Sequence, residues 1–173
     1  NPGTANAQRV VSLEHKLGLH GSPTAVMSYE GATGWMVGAA GGGMAAMFTM
    51  MNNARLGVGI QGLSQAELAL QKATTFAAER KQGRSPVADG SGTILDHADV
   101  RRNLMVMKAQ TAAARAICLD CAISLDLARA YGDADMQARA AFLTPIAKAF
   151  GTDTGCEVAS LGVQVHGGMG YIE

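Results

Sequence analysis

Residues 55–62, RLGVGIQG, place Gly57, Gly59 and Gly62 in the spacing G-x-G-x-x-G, and how they are read decides the fold. A dinucleotide-binding loop with this spacing follows an apolar, β-branched strand and opens a helix. Here the preceding residues are Met50, Met51, Asn52, Asn53, Ala54, Arg55 and Leu56. None is β-branched, and polar side chains stand where a buried strand would end. Helix-forming residues continue on both sides of the glycines. Glu79, near the offset of a ribose-binding acid, falls at the far end of the same run. The glycines therefore sit inside a long helix, where each costs roughly 1 kcal/mol relative to alanine. Close backbone approach by a neighbouring helix or ligand would offset that cost, so all three are expected to be packing glycines.

Working outward, the N-terminal side reads as short strands: RVVSL (9–13), TAVMSYE (24–30) and WMVG (35–38). The last two flank GATG, a hairpin-like turn signal. Composition changes near Gly41–Gly43, which divides the chain into residues 1–42 and 43–173. A first helix is predicted from about Met44 to Arg80, stopped by Gly83 and the GRSP that follows. SPVADGSG is a loop. Asp96 is placed as the N-cap of a second helix that runs to about Tyr131 and ends at YGDAD. Along it Val100, Leu104, Met107, Thr111, Ala114, Cys118, Cys121, Leu125 and Ala128 alternate four-three and form one buried stripe. A third helix is predicted around Pro145 to Val165, with Ile146, Phe150, Val158, Leu161 and Val165 on one face, ending at HGGMG. The fold class is mainly α: an antiparallel, apparently truncated helical bundle preceded by a few β-strands. A fourth helix would close it.

The 173 residues carry no net formal charge and only 16% are charged. That argues against a basic nucleic-acid surface or an acidic tail. Every apolar stretch is broken by Gly, Asn or Arg, so no membrane span is expected. No leader pattern opens the sequence, and NPGTANAQ and GYIE look like cuts, so a piece of a longer chain is expected. An odd set of cysteines, Cys118, Cys121 and Cys156, points to free thiols in a reducing compartment. CLDC has metal-like spacing, but both sulfurs fall on the buried stripe and no second Cys/His pair accompanies them. They read as core cysteines, and no metal is expected.

His15 and His20 flank a strand-like KLGL and read as turn residues, whereas His97 and His166 stand at helix boundaries beside loops or glycines. ERKQGR (79–84) gathers cations at a helix C-terminus. Residue type leaves two readings open: interaction with the helix dipole, or phosphate recognition by the guanidinium fork of Arg80. QVHGGMGY (164–171) offers backbone N–H groups that can bind an anion, or is a helix C-cap with a turn.

In this order, MMNNARLGVGIQGLSQAELALQKATTFAAERKQGR, LDHADVRRNL and LTPIAKAFGTDTGCEVASLGVQVHGGMGY resemble the C-terminal helical domain of the flavin-dependent acyl-CoA dehydrogenases. LGLHGSPTAVMSYEGATGWMVG resembles the last strands of that family's middle β-domain. The resemblance spans nearly the whole chain. It implies a homodimer or homotetramer with FAD lying between domains and across a subunit interface. Arg80 is implied to meet the flavin diphosphate of a neighbouring subunit, with Lys81 and Gln82 beside it, although the family's usual Phe before Gly83 is missing. His97 is implied on the flavin side. Gln164, Val165, His166, Gly167 and Gly168 match the family's Gln-x-x-Gly-Gly, a strand-like turn along the neighbouring FAD. Asn52 and Arg55 match a substrate-side segment, with Asn52 standing where the family has Asp.

The implied chemistry is removal of the α-proton of an acyl-CoA thioester by a carboxylate while a hydride leaves Cβ for the flavin. No catalytic residue for it is found in this chain. Glu173 stands too close to the glycine turn to be the family's downstream Glu, and Ala54 occupies the alternative position of the base, so these residues alone are expected to be inactive. MFTMMNNARLGVG looks most like the larger branch acting on short or sulfur-containing acyl-CoAs, such as methylthiopropanoyl-CoA. Implied surroundings are an acyl-CoA substrate, an electron-transfer flavoprotein as acceptor and the cytoplasm. Two other readings are a non-catalytic flavin-binding relative of the alkylation-response type, disfavoured by zero net charge, and a cofactor-free helical interaction module, which leaves Arg80, His97 and Gln164–Gly168 unexplained together.

Overall fold

The computed structural model describes residues 5–172; Glu173 lies outside them. The chain forms two compact units that divide between Ala45 and Ala46.

In the first unit β1 (Gln8–Leu13) pairs antiparallel with β2 (Ala25–Tyr29), Gln8 opposite Tyr29, with an irregularity between Val10 and Ser12. Arg9 and Glu30 form an ion pair at 3.0 Å. Asn6 holds the following segment, donating to the Thr33 carbonyl at 2.8 Å and accepting from its N–H at 2.9 Å. The structure corrects two expectations here. KLGL is part of the connection between the strands, where Lys16 Nζ donates to the Leu19 and Ser22 carbonyls. WMVG is not a strand and GATG is not a hairpin turn. Positive φ at Gly31 and Gly38 bends the chain on both sides of it, and Trp35 is 86% exposed.

The second unit is built on α1 (Gly43–Glu79) from Ala46 onward, α2 (Ala98–Tyr131) and α3 (Ala134–His166), with 3-10 turns at Ile94–Asp96 and Gly167–Gly170. Gly132, at φ +65°, ends α2, and Asp133 caps α3 by accepting from the N–H groups of Asp135 (2.9 Å) and Met136 (3.0 Å). α3 thus begins well before Pro145, which lies inside it. The expected start there was wrong because YGDAD contains both a stop and a start. Asp96 does not cap α2; it belongs to the preceding 3-10 turn, and His97 precedes the first helical residue.

α2 buries the stripe that its four-three pattern predicts: Met107, Thr111, Ala114, Cys118 and Cys121 are buried, and Val100, Leu104, Leu125 and Ala128 are half-buried. α3 behaves differently. Its buried line is Ala140, Thr144, Ala147, Gly151, Thr154, Gly155, Val158, Gly162 and Val165, whereas Ile146 and Phe150 are each 37% exposed. Size explains the difference. A Cβ on Gly59 would lie 2.6 Å from the Ala147 carbonyl oxygen, one on Gly151 2.5 Å from that of Gly59, and one on Gly62 would overlap the Gly151 carbonyl. The α1 and α3 backbones therefore touch directly, which only small residues permit. Gly59 and Gly62 are packing glycines, but Gly57 faces open space, so for it that expectation fails. Ion pairs at 2.5 Å link α1 to α2 (Glu67–Arg115) and α2 to α3 (Asp120–Arg139). Among the described residues no helix is long and apolar enough to cross a membrane.

Candidate functional site

The end of α1, the start of α2 and the end of α3 enclose a cleft of about 690 Å³. Helical hydrogen bonding runs one residue past α1, with the Arg80 N–H donating to the Phe76 carbonyl at 2.9 Å. The Arg80 carbonyl then accepts from the Ile94 N–H at 2.8 Å, which folds the intervening loop back onto the helix end. The Arg80 guanidinium donates to Gln82 Oε1 from Nε (3.3 Å) and Nη2 (3.2 Å). Gly83, at φ +73°, turns the chain beneath His97, whose ring carbon Cε1 would stand 3.7 Å from a Cβ there. His97 Nε2 contacts the Gln82 carbonyl at 3.2 Å. A carbonyl only accepts, so that nitrogen carries the proton.

From the other side, His166 stacks on Phe76 with ring centroids 4.5 Å apart, and its Nδ1 donates to the Gly162 carbonyl at 2.7 Å. Gly167, at φ +58°, ends α3. The structure corrects one detail: Gln164–His166 are helical and Gly167–Gly168 begin a 3-10 turn, so this stretch is not strand-like.

Arg80, Gln82, His97 and Gln164–Gly168 all line the cleft, whereas Lys81 does not. No acidic residue is among the described residues lining it, and none forms an ion pair with Arg80. A cation with no carboxylate partner among the described residues suits a phosphate or diphosphate, and the glycines at the helix end leave the backbone beside it uncovered.

Asn52 and Arg55 line a second cleft of about 420 Å³ between α1 and the α2–α3 turn, together with Thr49, Arg129, Gln137 and Pro145. Arg55 Nη1 donates to Asn52 Oδ1 at 3.0 Å, and its guanidinium stands 5.8 Å from the Phe48 ring centroid. Arg129, a second cation here, was not singled out in the sequence, because only the fold brings the end of α2 beside this part of α1. Arg55 and Arg80 are separated by continuous helix, about 37 Å at 1.5 Å per residue. The two residue sets belong to separate ends of the bundle.

Cys118 and Cys121 are buried and Cys156 is exposed; all three are free. Burial, with the neighbouring Cys121, pushes the Cys118 thiol pKa up. Among the described residues no group of three His, Cys, Asp or Glu side chains is placed to hold a metal ion.

Residues 41–173 match the model of the acyl-CoA dehydrogenase C-terminal domain. The chain is 49% identical to 3-methylmercaptopropionyl-CoA dehydrogenase of Ruegeria pomeroyi, covering 97% of this chain and 29% of the relative. It is 31% identical to a butyryl-CoA dehydrogenase of Syntrophomonas wolfei, covering 99% of this chain and 30% of that one. The three-dimensional structure of butyryl-CoA dehydrogenase from Megasphaera elsdenii superposes with a TM-score of 0.77 at 25% identity, over 96% of this chain and 40% of that one. The chain thus spans under a third of the length of these two curated relatives.

Proposed function

The chain belongs to the acyl-CoA dehydrogenase family, and from that premise we propose that the whole protein is an FAD-dependent dehydrogenase of a short or sulfur-containing acyl-CoA. In this reading residues 1–42 end a middle β-domain and residues 43–173 form the incomplete C-terminal bundle. The observation that carries it is the meeting of Arg80, Gln82, His97 and Gln164–Gly168, from three separate segments, in one cleft with no acidic side chain among the described residues lining it. The residues fit a flavin diphosphate. The Arg80 fork would hold its oxygens, and the backbone at Gly167 and Gly168 would lie beside it with no side chain intervening. His97 and Gln164 line the same cleft. When bound, the flavin supplies the hydride acceptor.

At the other cleft Arg55, steadied by Asn52 and Phe48, presents a cation toward the CoA side of the substrate. Separation of the two clefts by about 37 Å of helix supports one flavin reaching this domain from a neighbouring subunit, hence a homodimer or homotetramer. Ala54 offers no base, so the α-proton is taken by a carboxylate outside these residues, and the 173 residues alone are inactive. Electrons pass to an electron-transfer flavoprotein or similar acceptor, and the protein works in the cytoplasm. The 49% identity to a dehydrogenase of a sulfur-containing acyl-CoA supports that substrate class.

The test is the visible spectrum of the full-length protein before and after anaerobic addition of methylthiopropanoyl-CoA or butyryl-CoA. A flavin band that bleaches is expected. A flavin that never bleaches with any short acyl-CoA would favour a non-catalytic relative, and absence of flavin would refute the reading.

A further inference from the structure

The loop between α1 and α2 carries a carboxylate that neither cleft uses. Asp96, 8% exposed, accepts from Ser85 Oγ (2.7 Å), the Ser91 N–H (3.1 Å), Ser91 Oγ (3.0 Å) and the Gly92 N–H (2.8 Å). One side chain thereby closes residues 85–96 on themselves. The loop is shaped around it: a Cβ on Gly90 would lie 2.7 Å from the carboxylate carbon, and Gly92 adopts φ +72°. The Ser85 hydroxyl, foremost among these donors, holds the Asp96 carboxyl below the usual carboxylate range. The closed loop then presents the Ile94 N–H to the Arg80 carbonyl at 2.8 Å, fixing the residue whose guanidinium faces the first cleft.

We propose that Asp96 is a positioning residue for diphosphate recognition, holding the loop that fixes the Arg80 backbone so that its guanidinium is presented preformed. This rests on the flavin reading above. A preset arginine loses less conformational freedom on binding than one that must be ordered by the ligand. Removing Asp96 leaves the Ser91 and Gly92 N–H groups without their acceptor, returns the Ser85 and Ser91 hydroxyls to Val87 and Thr93, and frees the loop.

The experiment measures FAD affinity of the full-length apoprotein for wild type, Asp96→Ala, Ser85→Ala, Arg80→Ala and the double variant Asp96→Ala/Arg80→Ala, with melting curves alongside. Asp96→Ala is expected to weaken FAD about tenfold and Ser85→Ala about threefold. The double variant should bind within about twofold of Arg80→Ala, because the effect acts through Arg80. A purely structural role would lower Tm and add its full penalty to that of Arg80→Ala, overturning the proposal. Unchanged affinity in both loop variants beside a weakened Arg80→Ala would overturn it too, leaving the flavin reading intact. An Arg80→Ala protein that binds FAD normally would instead overturn the flavin reading, and this proposal with it. Should Asp96→Ala fail to fold, Ser85→Ala carries the same cycle.

Discussion

Gly59→Ala and Gly57→Ala are the same chemical change two residues apart in one helix, and the structure assigns them opposite signs. Each gains about 1 kcal/mol of helix propensity. At Gly57 nothing lies within 4 Å of the added Cβ, so the gain stands. At Gly59 the Cβ would be 2.6 Å from the Ala147 carbonyl oxygen, where ordinary contact begins at 3.4 Å. Both partners are helix backbone, so α1 and α3 must part by about 0.8 Å to restore an ordinary contact distance. Opening a packed seam by that much forfeits roughly a quarter to a half of the dispersion energy of each contact along it. Overpacking costs of about 1–3 kcal/mol are usual even where side chains can yield. With no side chain to yield, a net loss of about 2 kcal/mol is expected at Gly59. Hydrogen exchange of α1 and α3 peptides in the full-length protein reads it: roughly thirtyfold faster exchange in Gly59→Ala and up to fivefold slower in Gly57→Ala. Slower exchange in both would refute the direct backbone contact.

The Arg139 guanidinium holds the Asp120 carboxyl below the usual carboxylate range, and Gln71 with Arg115 does the same for Glu67. Such lowered folded-state values contribute stability above the unfolded pKa and lose it as pH falls through the folded one. Stability should therefore fall below about pH 4, and Asp120→Asn should flatten that fall in an acid titration followed by far-UV circular dichroism. Brief alkylation and peptide mass mapping should mark Cys156, which is exposed, well before the buried Cys118; equal labelling would contradict the packing. Asp133→Ala removes two cap hydrogen bonds and should cost about 1 kcal/mol, seen as roughly fivefold faster exchange in the first turn of α3.

Helix identity through RLGVGIQG was legible because a dinucleotide loop needs a β-branched strand before it, and MMNNARL is not one. The α2 stripe was legible because its apolar members recur at helical spacing and all face inward, although Asn103 and Ser124 are buried beside them and Met105, Leu119 and Ile123 lie outside. On α3 that equivalence fails: apolarity favours Ile146 and Phe150, but direct contact with α1 selects for size, and Gly151 and Thr154 go inside. The start of α3 was hidden because Gly132 and Asp133 end one helix and cap the next within two residues. Arg80 could be read as a dipole partner or a phosphate ligand from residue type alone; the family resemblance supplied the choice. Asp96 looked like a cap because caps are Asp before a helix, but its partners Ser85, Ser91 and Gly92 precede it, and a loop closing backward on itself leaves no periodic trace.

The most direct test of the account is the structure of the full-length protein with FAD, read at the first cleft. The account predicts a flavin diphosphate, reaching in from a neighbouring subunit, within hydrogen-bond distance of the Arg80 guanidinium and beside Gly167 and Gly168. A flavin bound elsewhere, with the cleft filled only by solvent or protein side chains, would contradict it.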